Sequence, residues 1–462
     1  MFPTETYTAR RRRLRKQVAS GVILLLGNGP SPVNYPDNCY PFRQDSTFLY
    51  FFGLDEPALA AVIDVDEGTE CLFGDDVTVD DVIWTGPQTP LREEARRVGV
   101  AQTAPSQDLA FVLEKASKRG RAIHFLPPYR PDLLLWIAEL LGFPPEAVDE
   151  LASETLIRAV VAQRSVKSPE EIEQIELALS VSYQMQTAAM KMAKPGVVER
   201  EVAGAMAGIA MALGVRLAFE PIFSIHGETL HNPFHNNVMK AGDIAVNDSG
   251  AESPLRYASD VTRTIPVGGQ FTQRQREIYS IVFDAQESAI AAIRPGVEFR
   301  DVHRLACVRL VAGLKEVGLT KGDPEEAVEA GAHTLFFQCG LGHMMGLDVH
   351  DMEGLGEDYV GYTEAIRRNP AFGWSSLRLA KAVEPGHVVT VEPGIYFIPT
   401  LIDRWKAEQK YDAFIDYAKV ETYRDFGGVR IEDDILVTDT GSRVLGPPIP
   451  KTIAEVEALA SA

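Results

Sequence analysis

The stretch Gly340-Leu341-Gly342-His343-Met344-Met345-Gly346-Leu347-Asp348-Val349-His350-Asp351 sets two histidines seven residues apart in a glycine-rich setting. Its meaning depends on four segments elsewhere in which acids occur where a strand should be apolar. Asp248 closes Ile244-Ala245-Val246-Asn247, just before Ser249-Gly250, and Asp260 opens Val261-Thr262-Arg263-Thr264-Ile265-Pro266. Glu392 ends Val388-Val389-Thr390-Val391 ahead of Pro393-Gly394. In Val429-Arg430-Ile431-Glu432-Asp433-Asp434-Ile435, the two-residue period of a strand predicts Arg430, Glu432 and Asp434 on one face. A buried carboxylate needs a cation, an arginine or a proton, because stripping it of water without a partner costs several kcal/mol. One acid at a strand end is most often a solvated turn or cap. Four of them beside an imidazole make a mixed nitrogen and oxygen donor set, suited to Mn²⁺, Co²⁺ or Zn²⁺ and too rich in carboxylate for a structural zinc site.

The rest of the composition narrows the field. The chain has 462 residues, 45% hydrophobic and 24% charged, which is ordinary globular usage with room for two or three domains. Its 65 acids against 45 basic residues leave a net charge of −20, which disfavours nucleic acid and anionic membrane as partners. The acid surplus reads as solubility or as hard-metal ligation, and the count alone does not choose. No apolar run approaches the roughly 18–20 residues that span a bilayer. Four cysteines, Cys39, Cys71, Cys307 and Cys339, form no CxxC pair and suit a reducing cytoplasm. The run Arg10-Arg11-Arg12-Arg13 reads as a basic helix feeding a short strand, and export is not expected.

Pattern along the chain predicts an α/β first part and an α+β second part. Expected strands in the first part are Val22–Leu26, Thr47–Phe52, Ala60–Val65 and Ala122–Leu126. Expected helices are the Arg10 segment, Leu109–Ser117 and Pro131–Leu141. A boundary near Arg164–Ser168 divides residues 1–165 from 166–462. There Ser168-Pro169-Glu170-Glu171 supplies a helix cap, a proline at the first position and early acids. Helices are then expected over Pro169–Ala193, Glu199–Leu213, Thr272–Ile293 and Phe299–Val317. Strands are expected over Asp243–Asp248, Asp260–Val267, Val388–Glu392 and Val429–Val437. No tandem repeat is apparent. His124 and His303 fall in periodic apolar segments and read as packed residues. His226, His231 and His235 cluster in a Gly/Asn/Pro-rich loop, and spacing does not choose among them.

These segments carry a family resemblance. Asp248-Ser249-Gly250, Ser259-Asp260-Val261-Thr262-Arg263-Thr264, Gly340 to His343, Gly346 to Asp351, Thr390 to Gly394 and Val429 to Asp434 resemble, in order and spacing, the motifs of the creatinase/aminopeptidase P/prolidase family. Tyr40-Pro41-Phe42-Arg43-Gln44-Asp45-Ser46 and Phe51-Phe52-Gly53-Leu54 resemble that family's N-terminal domain. The resemblance implies a pita-bread α+β catalytic domain, two divalent metal ions, most often manganese with cobalt or zinc as alternatives, and a homodimer or homotetramer. It makes Asp248, Asp260, His343, Glu392 and Glu432 the metal ligands, with Asp260 and Glu432 bridging. It also selects His231, seventeen residues before Asp248, and places His350 and Arg430 beside the substrate.

The implied reaction is hydrolysis of the Xaa-Pro bond of dipeptides or short peptides. A metal-bridging hydroxide attacks the scissile carbonyl, His350 or His231 steadies the oxyanion, and Glu392 shuttles the proton to the leaving nitrogen. Arg378, fourteen residues before Glu392, matches the prolidase arginine that grips a dipeptide's free carboxylate, which points to prolidase-like specificity. The alternatives are an aminopeptidase P acting on longer Xaa-Pro peptides, or a non-peptidase hydrolase or binding module on the same fold. The family carries a further histidine four residues before the ligand histidine, where this chain has Cys339. No base is placed for that thiol, so a packed side chain is expected.

Overall fold

The computed structural model describes residues 1–462, which divide into two compact units. The first comprises Met1–Arg164 with Glu353–Tyr359, and the second Ser165–Met352 with Val360–Ala462. The short excursion at Glu353–Tyr359 is something a single cut in the sequence does not represent.

In the first unit, α1 (Thr4–Val18), β1 (Val22–Leu26), α2 (Ser46–Phe52), β2 (Ala60–Asp64), β3 (Thr69–Phe73), α3 (Val79–Thr85), α4 (Leu91–Arg97) and β4 (Gln102–Ala104) are followed by α5 (Leu109–Lys118), β5 (Ile123–His124), α6 (Pro131–Leu141) and α7 (Glu154–Arg164). The strands form one sheet in the order β4-β3-β2-β1-β5, antiparallel at its centre and parallel at both edges. Val22, Leu24, Ala60, Val62 and Phe73 meet Leu109, Leu113 and Ile137 in its core. The basic run does more than coat a helix: the fully buried Arg11 pairs with Glu70 at 2.8 Å and donates to the carbonyls of Phe51 and Val98.

One expected strand is a helix. Thr47–Phe52 belongs to α2, whose seven residues are all buried. A short, wholly apolar run carries no periodicity that separates strand from buried helix. The flanks decide it. The Asp45 side chain caps the start by accepting from Phe48 N at 2.8 Å, and Gly53 ends the helix in the left-handed region at φ 65°.

The second unit contains α8 (Pro169–Met192), α9 (Glu199–Ala212), β6 (Ile222–Ser224), β7 (Ile244–Ser249), β8 (Val261–Pro266), α10 (Gln273–Ala292), α11 (Phe299–Glu316), α12 (Pro324–Ala330), β9 (Val388–Val391), β10 (Gly394–Tyr396), β11 (Gly428–Arg430), β12 (Asp433–Val437) and β13 (Ser442–Val444). Glu171 reaches back to the Ser168 amide at 3.0 Å, as the start signal of α8 predicts. Three small sheets result, with orders β6-β7-β8, β13-β12-β9 and β10-β11. They are stitched together by Glu432 N donating to Thr262 O and by the reciprocal bonds between Thr264 Oγ1 and the Arg430 backbone.

The expected strand over Val429–Val437 breaks at Ile431–Glu432. Arg430 pairs with Gly394 in one sheet and Asp434 with Thr390 in another, so the shared-face argument fails although all three acids and bases enter the same site.

A structural repeat underlies the unit that the residues alone did not disclose. In α8, Gln186 donates to Val261 O at 2.7 Å; in α10, Gln286 donates to Asp433 at 2.9 Å. Pro195-Gly196 after α8 and Pro295-Gly296 after α10 make matching turns, with Gly196 N bonding Met239 O and Gly296 N bonding Val383 O. Each helix pair thus backs one of the two acid-bearing sheets.

Candidate metal centre

Register brings the acids together. Within the β7–β8 pair Asp248 stands opposite Thr262, and Asp260 immediately precedes β8. Glu432 lies in the break between β11 and β12 and accepts from Thr262 Oγ1 at 2.6 Å. His343 is in a loop without regular structure, clamped by two bonds to Thr390: His343 N to Oγ1 at 3.1 Å and Thr390 N to His343 O at 3.0 Å. The Thr390 hydroxyl also faces Glu392 Oε1 at 3.3 Å, and the Glu392 amide donates to Leu341 O at 2.8 Å.

The side chains converge. Asp260, His343 and Glu432 offer donor atoms all within 4.8 Å of one another. His343 Nε2 is 3.5 Å from Asp260 Oδ2 and 3.6 Å from Glu392 Oε1. Two donors held about 2.1 Å from one ion stand roughly 3–3.5 Å apart, so the spacing suits a shared cation. His343 Nδ1 lies 3.0 Å from the Met344 carbonyl, which orients the ring and leaves Nε2 turned to the acids.

Electrostatics distinguish these acids from their neighbour. Asp433 is equally buried, yet Arg263 and Lys451 overcome its desolvation and hold its carboxyl below the usual range. Burial first, then repulsion from Asp248, Asp434 and Glu392, pushes Asp260 well above the usual range. Burial and the charges of Asp260, Glu392 and Asp248 do the same to Glu432. Asp434, whose Oδ2 accepts the Asp260 amide at 3.1 Å, is also raised well above its usual value, chiefly by burial. Arg430 donates to Asp248 at 2.5 Å, but one guanidinium does not neutralise the set. Asp248 Oδ1 and Asp260 Oδ1 are buried without a hydrogen-bond partner. Excess buried negative charge with orphaned oxygens beside an imidazole is what divalent cations satisfy.

Exposure grades outward from there. His343 is 4% exposed, His350 is half-buried with its ring 4.1 Å from that of His343, and His231 is exposed. Burial, then the charges of His343, Arg378 and His231, drive the His350 imidazole down to about 2, so it stays neutral at working pH. All three sequence-selected groups therefore act on one ring. Cys339 is a packed thiol: burial and the charge of Glu392 push it up to about 12, far from a thiolate nucleophile.

Two positioning residues carry no role in the sequence reading. Thr262 bonds Glu432 and accepts from Arg430 Nε at 3.0 Å, and Tyr396 Oη accepts from Arg430 Nη1 at 3.0 Å. Thr262 was within reach, two residues from Asp260 on the same strand face; Tyr396 had no such signal.

Gly342 marks the closest approach. A Cβ there would sit 2.0 Å from Thr390 O, inside the pair that clamps His343. Gly342→Ala is expected to shift His343 and weaken metal binding at least tenfold, read by calorimetric titration of the chelated protein, while the first unit keeps its fold.

Fold and site together define a metal-dependent hydrolase with a pita-bread catalytic domain that follows an α/β domain along the chain. Residues 173–439 match the family model of metallopeptidase family M24 and residues 7–124 that of the aminopeptidase P N-terminal domain, so the chain belongs to metallopeptidase family M24. It is 32% identical over 455 residues to a probable Xaa-Pro aminopeptidase of Uncinocarpus reesii, covering 96% of this chain and 90% of that protein. It is 31% identical over 457 residues to an Xaa-Pro dipeptidase of Homo sapiens, with the same two coverages. The structure of aminopeptidase P from E. coli with the inhibitor Pro-Leu superposes with a TM-score of 0.80 at 29% identity, covering 99% of this chain and 98% of that one.

Proposed function

We infer that this metallopeptidase is an Xaa-Pro exopeptidase that acts on dipeptides or short peptides, with prolidase-like preference. The observation that supports this most is the uncompensated acid cluster beside His343, opening through His350 to His231 and Arg378. Asp248, Asp260, His343, Glu392 and Glu432 are the ligands in this proposal, and two divalent ions, manganese with cobalt or zinc as alternatives, are the cofactors. Such ions supply Lewis acidity and a nucleophile at neutral pH.

The chain's own residues do the rest. Asp260 and Glu432 share the burden of charge at the centre, and Arg430 holds Asp248 in place. Glu392, the least buried acid of the set, carries the proton from the attacking water to the leaving nitrogen. Neutral His350 donates to the carbonyl oxygen as it gains charge, with His231 at the exposed end contacting the peptide. Arg378 grips the substrate's terminal carboxylate. A soluble cytoplasmic homodimer or homotetramer, without nucleic-acid or membrane partners, completes the proposal; no helix is long and apolar enough to cross a membrane.

The test is kinetic. Gly-Pro or Met-Pro dipeptides and Xaa-Pro-Xaa tripeptides are compared after chelation and reloading with Mn²⁺, Co²⁺ or Zn²⁺. Dipeptide turnover supports the prolidase preference, and turnover of tripeptides alone replaces it with aminopeptidase P. A charge-assisted bond is worth about 1.5–3 kcal/mol. Arg378→Ala is therefore expected to raise KM for dipeptides roughly 10- to 100-fold and to change tripeptide KM far less. Equal effects on both would remove Arg378 from carboxylate recognition.

A further inference from the structure

We propose that His303, Cys307 and His333 form a second metal site, a thiolate-containing one for zinc or a similar borderline ion, apart from the acidic centre. His303 and Cys307 stand one helical turn apart on the buried face of α11, and His333 comes from the 3-10 turn Ala332–Leu335. One donor atom from each lies within 4.8 Å of the other two, and Cys307 Sγ is 3.6 Å from His303 Nε2. Exposures are 1% for His303, 0% for Cys307 and 2% for His333.

The cluster has unmet bonding capacity. His303 Nδ1 and His333 Nδ1 are both buried without a hydrogen-bond partner. Native interiors rarely leave such atoms unpaired, so the bonding of both rings is incomplete without a further partner. Burial holds both imidazoles neutral, His303 down to about 3 and His333 down to about 4, so their lone pairs are free to coordinate.

Burial raises the Cys307 thiol, so without metal it stays protonated. A bound cation would form the sulfur–metal bond and release that proton to solvent. Two imidazoles and a thiolate favour zinc, cobalt or copper over manganese, whereas the oxygen-rich acidic centre also suits manganese. Trp374 sets its ring edge-on to His303 and His333, at 5.0 and 5.6 Å, and also lines the cleft beside Arg300 and Arg304. It shields the cluster from that cleft. Such a site would tie α11 to the segment that runs on to Cys339 and His343.

Cobalt distinguishes the two centres, because only a thiolate ligand produces an intense sulfur-to-cobalt charge-transfer band in the near ultraviolet. The full-length protein is chelated and titrated with Co²⁺. The expected result is such a band in the wild type and in Cys339→Ser, lost in Cys307→Ala and shifted to at least tenfold higher cobalt concentration in His333→Gln. Xaa-Pro hydrolysis with Mn²⁺ serves as the folding control for each variant. If Cys307→Ala fails to fold, His333→Gln decides alone, and a band that appears there at the wild-type cobalt concentration overturns the proposal. A wild type without the band at saturating cobalt, or a band that survives Cys307→Ala or disappears in Cys339→Ser, overturns the proposal.

Discussion

Glu392→Gln folds, still takes up divalent metal, and hydrolyses Xaa-Pro peptides about 10²- to 10⁴-fold more slowly, with the loss in kcat rather than KM. The expectation rests on how Glu392 is held. Its amide is fixed by Leu341 O at 2.8 Å, and its Oε1 faces the Thr390 hydroxyl at 3.3 Å. A glutamine fills the same space and keeps the backbone contact, so neither fold nor substrate binding should move. What it removes is the ability to take and give a proton. The Glu392 side chain is 20% exposed against 7% for Asp260, which leaves it open to water and substrate. Burial raises its carboxyl above the ordinary value, moderated by His343 and Arg430. Steady-state kinetics with a parallel metal analysis decide it. A variant that keeps its metal and more than a tenth of its activity would take Glu392 out of the proton path.

The second large effect concerns metal removal. In the metal-free protein Asp260, Glu432 and Asp434 all have carboxyls raised above their unfolded values, by burial first and then by the acids around them. The folded state therefore binds more protons than the unfolded one above about pH 4. Stability from these groups is fully present below their unfolded pKa and is lost as pH rises through the folded values. Chelated protein should melt at lower temperature at pH 8 than at pH 5. Divalent cations reverse that trend by displacing the protons and pairing the carboxylates. At a thousandfold excess over Kd, binding adds about 4 kcal/mol, a rise of roughly 10 °C for a unit of this size. Calorimetry in buffers of different ionisation enthalpy should show protons released on metal binding. Metal uptake without proton release, or a chelated protein that grows more stable toward pH 8, contradicts the charge balance described for the site.

Much of this was legible in the residues because it is local. Pro169–Met192, Glu199–Ala212, Gln273–Ala292 and Phe299–Glu316 announce themselves by caps and apolar period, and β1 and α6 fall on the expected residues. Acids that end apolar strands are anomalous enough to stand out one by one. Tertiary structure decided what depends on partners distant in the chain. Whether Thr47–Phe52 is strand or helix turned on a cap and a left-handed glycine, because a fully buried run has no polar face to set its period. Asp433 and Asp434 are adjacent and equally buried, yet only Asp433 meets Arg263 and Lys451, so its carboxyl is held below the usual range while burial pushes that of Asp434 well above it. No spacing rule reveals that. His303 and Cys307 read as core residues of a helix, and they become a cluster only when His333 folds against them. The sequence by itself singled out the residues proposed for the chemistry and most of the elements that carry them. Folding alone decided which charges go unpaired, because pairing depends on where the rest of the chain places its cations.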